Sequence, residues 1–193
     1  IMHDREVDRT TNGSGILGKM DSSALDALDA GSWFSPEFKG ERIPRLKEYL
    51  QWLNGKAKVY FDVKAGSMKQ LVALVRETGF ENDSFFWFGN KLLLGSFLKY
   101  GKDLKLKINA YTPEEVEDAA NRYNASIVEM PLAALTPAYI QSCRKHAIRI
   151  MIYEKENTAA VFRQILDSDA DLVNLDKPGL FVKVRDNAEK NVK

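Results

Sequence analysis

From Val59 onward the sequence repeats one pattern six times: a short apolar run followed by the start of an amphipathic helix. Val59–Val63 is rich in β-branched and aromatic residues and predicts a strand. A helix follows from Met68 to Arg76, with Leu71, Leu74 and Val75 on its inner face and Gly79 ending it. Ser84–Phe88, Leu104–Ile108, Ser126–Met130, Ile148–Tyr153 and Asp171–Asn174 repeat the strand signal. Thr112-Pro113-Glu114-Glu115 and Thr136-Pro137 open helices with a capping residue and a proline at the first turn. Further helices are expected over Ala159–Leu166 and from about Pro178. Most of the strands are apolar throughout, as in a parallel sheet buried on both faces. The exception is Leu104–Ile108, which alternates with Lys105 and Lys107. No glycine-rich phosphate loop follows any strand, so nothing favours a dinucleotide fold. Repeated βα units without that signature predict an α/β chain of the (β/α)8 barrel type.

A complete barrel has eight units and this chain shows about six, so it is expected to be incomplete at its N-terminus. The chain begins Ile1-Met2-His3-Asp4, as if cut from a longer protein. Residues 1–57 read as a connection leading into Val59. Asn12-Gly13-Ser14-Gly15 is turn-rich, and Asp21-Ser22-Ser23 can cap a short helix carrying Leu25 and Leu28. Trp33, Phe34 and Phe38 are expected to anchor a loop, and Pro44 to start a helix with Leu46, Tyr49, Leu50 and Leu53 inward.

A net charge of +1 gives no basic field for nucleic acid, and no apolar run reaches membrane-spanning length. No leader is visible, which leaves the compartment open between cytoplasm and periplasm or exterior. The lone Cys143 follows Tyr139 and Ile140 at helical spacing and reads as a buried structural thiol. His146 precedes a strand, on the non-catalytic side of a barrel, and reads as a solvated histidine at a helix end.

Barrel chemistry sits at the C-terminal ends of the strands. Those ends offer Asp62, Lys64, Asn90, Asn109, Glu129, Glu154 and Asp176. Asp62 and Lys64 are two apart and so point the same way. A carboxylate beside an ammonium suits a hard cation and a phosphoryl oxygen, and equally suits a plain ion pair. His3 is the one histidine that could serve proton transfer at the catalytic end.

Taken in order, these blocks resemble the glycerophosphodiester phosphodiesterase family. The likeness starts at His3-Asp4 and Asp8-Arg9-Thr10-Thr11-Asn12-Gly13-Ser14-Gly15. It continues through Leu28-Asp29-Ala30-Gly31-Ser32-Trp33-Phe34, Ile43-Pro44-Arg45-Leu46, Phe61-Asp62-Val63-Lys64 and Val173-Asn174-Leu175-Asp176-Lys177-Pro178. The resemblance implies a single barrel domain over residues 1–193. Residues 10–43 would be the family insertion between the second and third strands. It implies a phosphoric diester hydrolase of lipid metabolism that releases an alcohol and glycerol 3-phosphate from a small-molecule glycerophosphodiester. A divalent cation, Ca2+ or Mg2+, would assist. His3 would be one of two catalytic histidines, Asp62 a metal ligand where the family usually has Glu, and Lys64 the lysine facing the phosphate. Departures are Phe88 in place of Ser, Tyr153-Glu154 in place of Trp-Thr, and Asn174 in place of Thr. With Glu129 and Asp176, Tyr153 and Glu154 form a candidate pocket for the alcohol. The alternatives are a protein that binds a phosphodiester or phospholipid headgroup without cleaving it, and an inactive fragment. The family's first histidine, its neighbouring arginine and two metal-ligating carboxylates have no counterpart here, so the 193-residue chain alone is expected to show negligible activity.

Overall fold

The computed structural model describes residues 1–190 and separates into two compact units, Ile1–Ala57 and Lys58–Lys193.

The first unit is mostly loop. An antiparallel bridge joins Glu6 to Ile16, and a 3-10 turn spans Leu17–Lys19. Helix α1 covers Ser22–Asp26, so Leu28 lies beyond it, and Asp21 makes no side-chain cap. A second 3-10 turn, Pro36–Phe38, precedes helix α2, Leu46–Leu53. Only Leu50 and Leu53 of α2 are buried; Tyr49 faces outward, unlike the sequence expectation. Trp33, Phe34 and Phe38 are also not anchors. They are 52%, 70% and 44% exposed and pack on one another at 5.8 and 5.7 Å between ring centres.

In the second unit every strand pairing is parallel. Strand β1 (Val59–Val63) leads to helix α3 (Met68–Glu77), β2 (Ser84–Phe88) to α4 (Lys91–Gly101), and β3 (Lys107–Asn109) to α5 (Pro113–Tyr123). β4 (Ile127–Met130) leads to α6 (Pro137–Lys145), β5 (Arg149–Tyr153) to α7 (Ala159–Leu166), and β6 (Leu172–Asn174) to α8 (Pro178–Lys190). The order is β1-β2, then β3-β4-β5-β6, and a bridge from Phe86 to Leu106 joins the two groups. This is the βα repeat the sequence predicts. The sixfold repeat implies a helix after β2 but gives no bounds for α4, because Gly95 and Gly101 weaken its helical signal. On α3 the buried face is Met68, Val72 and Val75, with Leu71 and Leu74 only partly covered.

Helix starts are fixed by side chains placed just past the strands. Asn90 accepts from the Leu92 amide, and Thr112, Thr136 and Thr158 accept from Glu115, Tyr139 and Val161. Each such cap contributes about 0.5–2 kcal/mol. The core under β3–β6 is aliphatic, with Val128, Ile150 and Ile152 at 0% exposure against Tyr139 and Phe162. Tyr139 donates its hydroxyl hydrogen to the Ala110 carbonyl at 2.8 Å. Cys143 is fully buried there, and burial pushes its thiol up to about 11, as expected of an inert structural cysteine. Under β1–β2 the core is aromatic. Phe61 stacks on Phe86 at 4.7 Å, and Phe97 of α4 packs against both Phe86 and Phe88 at 4.8 Å. His146 is not solvated as expected: its side chain is 19% exposed, and among the described residues Nε2 has no hydrogen-bond partner, with Glu117 3.9 Å away.

Candidate active site

At the head of the first unit His3 Nδ1 meets Asp4 Oδ1 at 2.6 Å, and Arg9 donates to Asp4 Oδ2 at 2.5 Å. These two hydrogen bonds, Arg9 first, hold the Asp4 carboxyl well below the usual carboxylate range. A carboxylate locked to Nδ1 fixes the ring and its tautomer, the arrangement used to orient an acid–base histidine. The residues behind it form a self-bonded turn. Asp8 accepts from the Ser14 hydroxyl at 2.7 Å and from the Gly15 amide at 2.8 Å, and Thr11 donates to the Val7 carbonyl at 2.7 Å. Asn12 accepts from the Asp29 amide at 2.9 Å. Asp29 in turn accepts from Gly31, Ser32 and Gly40.

In the second unit Asp62 and Lys64 sit at the C-terminal end of β1, 3.2 Å apart and each about two-fifths exposed. The alternation of the strand puts both on one side, as their spacing predicts. An ammonium beside a carboxylate at a barrel mouth can neutralise a phosphoryl oxygen, while the carboxylate can donate a hard oxygen to a cation. Among the described residues no three His, Cys, Asp or Glu side chains converge on one point. A cation held through Asp62 would therefore need its other ligands from elsewhere.

A buried ion pair that the strand pattern does not reveal joins β3 to β4. Lys107 on β3 is 1% exposed, whereas Lys105, two residues earlier, is at the surface. Its ammonium pairs with the Glu129 carboxylate on β4 and donates to Asn109 Oδ1 at 2.9 Å. It also lies 4.6 Å from the Trp87 ring centre and 5.6 Å from that of Tyr60. Burial pulls Lys107 below the usual lysine range, and the hydrogen bond and charge of Glu129 work against that shift. The other oxygen of Glu129 accepts from Asn174 Nδ2 of β6 at 2.8 Å. The available signal was a lysine inside a strand, two residues before the strand-end Asn109; the structure pairs Asn109 with Glu129 of the next strand.

Beside this pair is a cavity of about 570 Å3 at the ends of β3, β4 and β5. Glu129, Tyr153 and Glu154 line it, so three of the candidate pocket residues come together. Glu154 also accepts from the Leu132 amide at 2.6 Å. Asp176 is not among the lining residues; its amide donates to Asn157 at 2.8 Å, and its side chain is exposed.

Residues 1–138 match the glycerophosphoryl diester phosphodiesterase family. The chain belongs to that family. The glycerophosphodiester phosphodiesterase of Caldanaerobacter subterraneus is 28% identical over 196 residues, covering 93% of this chain and 80% of that one. The crystal structure of glycerophosphodiester phosphodiesterase from Agrobacterium tumefaciens superposes with a TM-score of 0.87 at 36% identity, covering 93% of this chain and 78% of that one. The fold is shared with an Oleispira antarctica phosphodiesterase solved with its product, sn-glycerol-3-phosphate, at a TM-score of 0.78 and 18% identity, covering 96% and 78%. These family structures explain the six parallel βα units: they are part of a (β/α)8 barrel. Among the described residues no helix is long and apolar enough to cross a membrane.

Proposed function

We propose that this chain serves the metal-dependent hydrolysis of glycerophosphodiesters to an alcohol and glycerol 3-phosphate. The observation that carries the reading is Lys64 beside Asp62 at the end of β1, in a chain whose first 138 residues match the family. Water adds to phosphorus, the bond from phosphorus to the alcohol oxygen breaks, and the alcohol leaves with a proton. Lys64 stabilises the charge that gathers on the phosphoryl oxygens. Asp62 would supply one oxygen ligand to a divalent cation, calcium or magnesium, which when bound would polarise the phosphoryl group. His3 is the proton donor to the leaving oxygen; Asp4 engages its Nδ1, so transfer belongs to Nε2. Residues 1–193 are read as one barrel domain with residues 10–43 as the family insertion.

The test is product release. Among the described strands β1 pairs only with β2 and β6 only with β5, two strands short of a closed barrel. The chain should therefore be joined to the part of the Agrobacterium relative that it leaves unmatched, and given glycerophosphodiesters with calcium or magnesium. Glycerol 3-phosphate should appear, far faster than from the chain by itself. No release with either ion would overturn the reading in favour of a non-cleaving phosphodiester binder.

A further inference from the structure

Arg9 is the third member of a chain of contacts that ends on His3. Its Nε donates to Asp4 Oδ2 at 2.5 Å, while Asp4 Oδ1 meets His3 Nδ1 at 2.6 Å. The two carboxylate oxygens are thus divided, one to each partner. The division matters because the His3 side chain is 72% exposed, so packing does not set its ring. A carboxylate held at one oxygen can turn about its last bond, which is a soft, broad torsion, and leave Nδ1 to water. Held at Oδ2 from a second direction, it keeps Oδ1 on the ring.

The backbone presents Arg9 for this contact. Val7, between Asp4 and Arg9, is fully buried, and its amide donates to the Gly15 carbonyl at 3.0 Å. Its carbonyl accepts from the Thr11 hydroxyl at 2.7 Å, and the Arg5 carbonyl accepts from the Leu17 amide at 2.9 Å. Arg9 therefore stands on a bonded turn. The carboxylate next to it in sequence, Asp8, is taken by the Ser14 hydroxyl and the Gly15 amide, so it does not draw the guanidinium away from Asp4. Exposed ion pairs contribute little to stability, which leaves the orientation of His3 as the consequence of this one.

We infer that Arg9 is a positioning residue that holds the Asp4 carboxylate on His3 Nδ1 and so keeps the neutral ring in its Nδ1–H tautomer, with Nε2 left to take up and deliver the proton. The inference rests on the phosphodiesterase reading only in taking Nε2 to act on the substrate; the tautomer itself is measured without turnover.

The chain has two histidines, so imidazole nitrogen NMR of the 15N-labelled chain need separate only His3 and His146, and His3→Ala assigns them. At a pH where the rings are neutral, His3 should be chiefly the Nδ1–H form. Arg9 is 58% exposed, and Arg9→Met keeps its stem while removing the donor, so folding is left alone. That variant should move His3 toward the Nε2–H form that a free histidine side chain prefers, with Arg9→Lys between the two and His146 unchanged. Asp4→Ala should give the full change, and adding Arg9→Met to it should give nothing more. An unchanged His3 tautomer in Arg9→Met, or a further change on the Asp4→Ala background, would overturn the inference. In the completed barrel Arg9→Met should lower kcat roughly 10- to 100-fold with KM little altered. A loss confined to KM would make Arg9 a substrate contact and overturn the positioning role. Product release from the native barrel with no tautomer change in Arg9→Met would sink the positioning role and spare the phosphodiesterase. The tautomer change without product release would do the reverse.

Discussion

Lys107 and Glu129 form a buried ion pair between adjacent strands of the barrel, with Lys107 at 1% and Glu129 at 9% side-chain exposure. Taking two charges out of water costs several kcal/mol per ion, and only close pairing with further hydrogen bonds offsets it. Here those bonds come from Asn109 and Asn174, and two aromatic rings flank the ammonium.

Removing one partner should therefore hurt more than removing both. Lys107→Met leaves Glu129 buried and uncompensated and should lower stability by about 3–5 kcal/mol in urea denaturation. Combining it with Glu129→Gln should recover a substantial part of that loss. A double variant as unstable as the sum of the two single variants would argue against the pair as a unit.

This pair also shows where the sequence was readable and where it was not. Apolar runs bounded by capping threonines located most of the strands and helices to within a residue or two, because burial on both faces and cap chemistry are local signals. Lys107 was hidden because a regular strand would put it on the same side as Lys105. In the structure Lys105 lies before β3, at the surface, whereas Lys107 is the first residue of the strand, where both faces of the sheet are covered. Trp33, Phe34 and Phe38 misled for another reason: an apolar residue in a loop carries no mark of whether it is covered. Asp62 and Lys64 were legible because a two-residue spacing on a strand fixes relative direction.

Acid should weaken one strand junction selectively. Asp171 is partly desolvated, which raises its carboxyl, but bonds from the Ile150 amide and Arg144 outweigh this and leave it below the ordinary aspartate range. A depressed carboxyl gives stability that is present above the unfolded value and lost as pH falls through the folded one. The melting-temperature gap between the native chain and Asp171→Asn should be widest near neutrality. It should close as pH drops below about 4. A gap independent of pH would contradict this.

Gly31 is a steric requirement of the first unit. A Cβ there would lie 1.9 Å from the Phe38 carbonyl oxygen, a backbone atom that cannot swing away. Gly31→Ala should disrupt the loop that Asp29 organises and cost more than about 1 kcal/mol by thermal unfolding. Gly18→Ala, where nothing lies within 4 Å, should cost far less.

Turnover by the completed barrel should depend on the two groups assigned to the phosphoryl reaction. His3→Ala should slow product release by roughly 10²–10⁴-fold, the range typical of a lost acid–base residue. Lys64→Ala should cost roughly 10²–10³-fold. Near-native rates in either variant would remove that residue from the mechanism.

The bridge between Phe86 and Leu106 has a mechanical meaning. Five paired positions join β1 to β2 and four join β4 to β5, but the two groups of strands meet at that bridge, beside the Phe86 amide bonded to the Lys105 carbonyl at 3.0 Å. The sheet is thus two staves of paired strands with a narrow seam. Lys107, the first residue of β3, stands directly beside that seam, with Trp87 and Tyr60 reaching across from the other stave. The buried cation acts as a clasp at the place where the backbone has the fewest stitches.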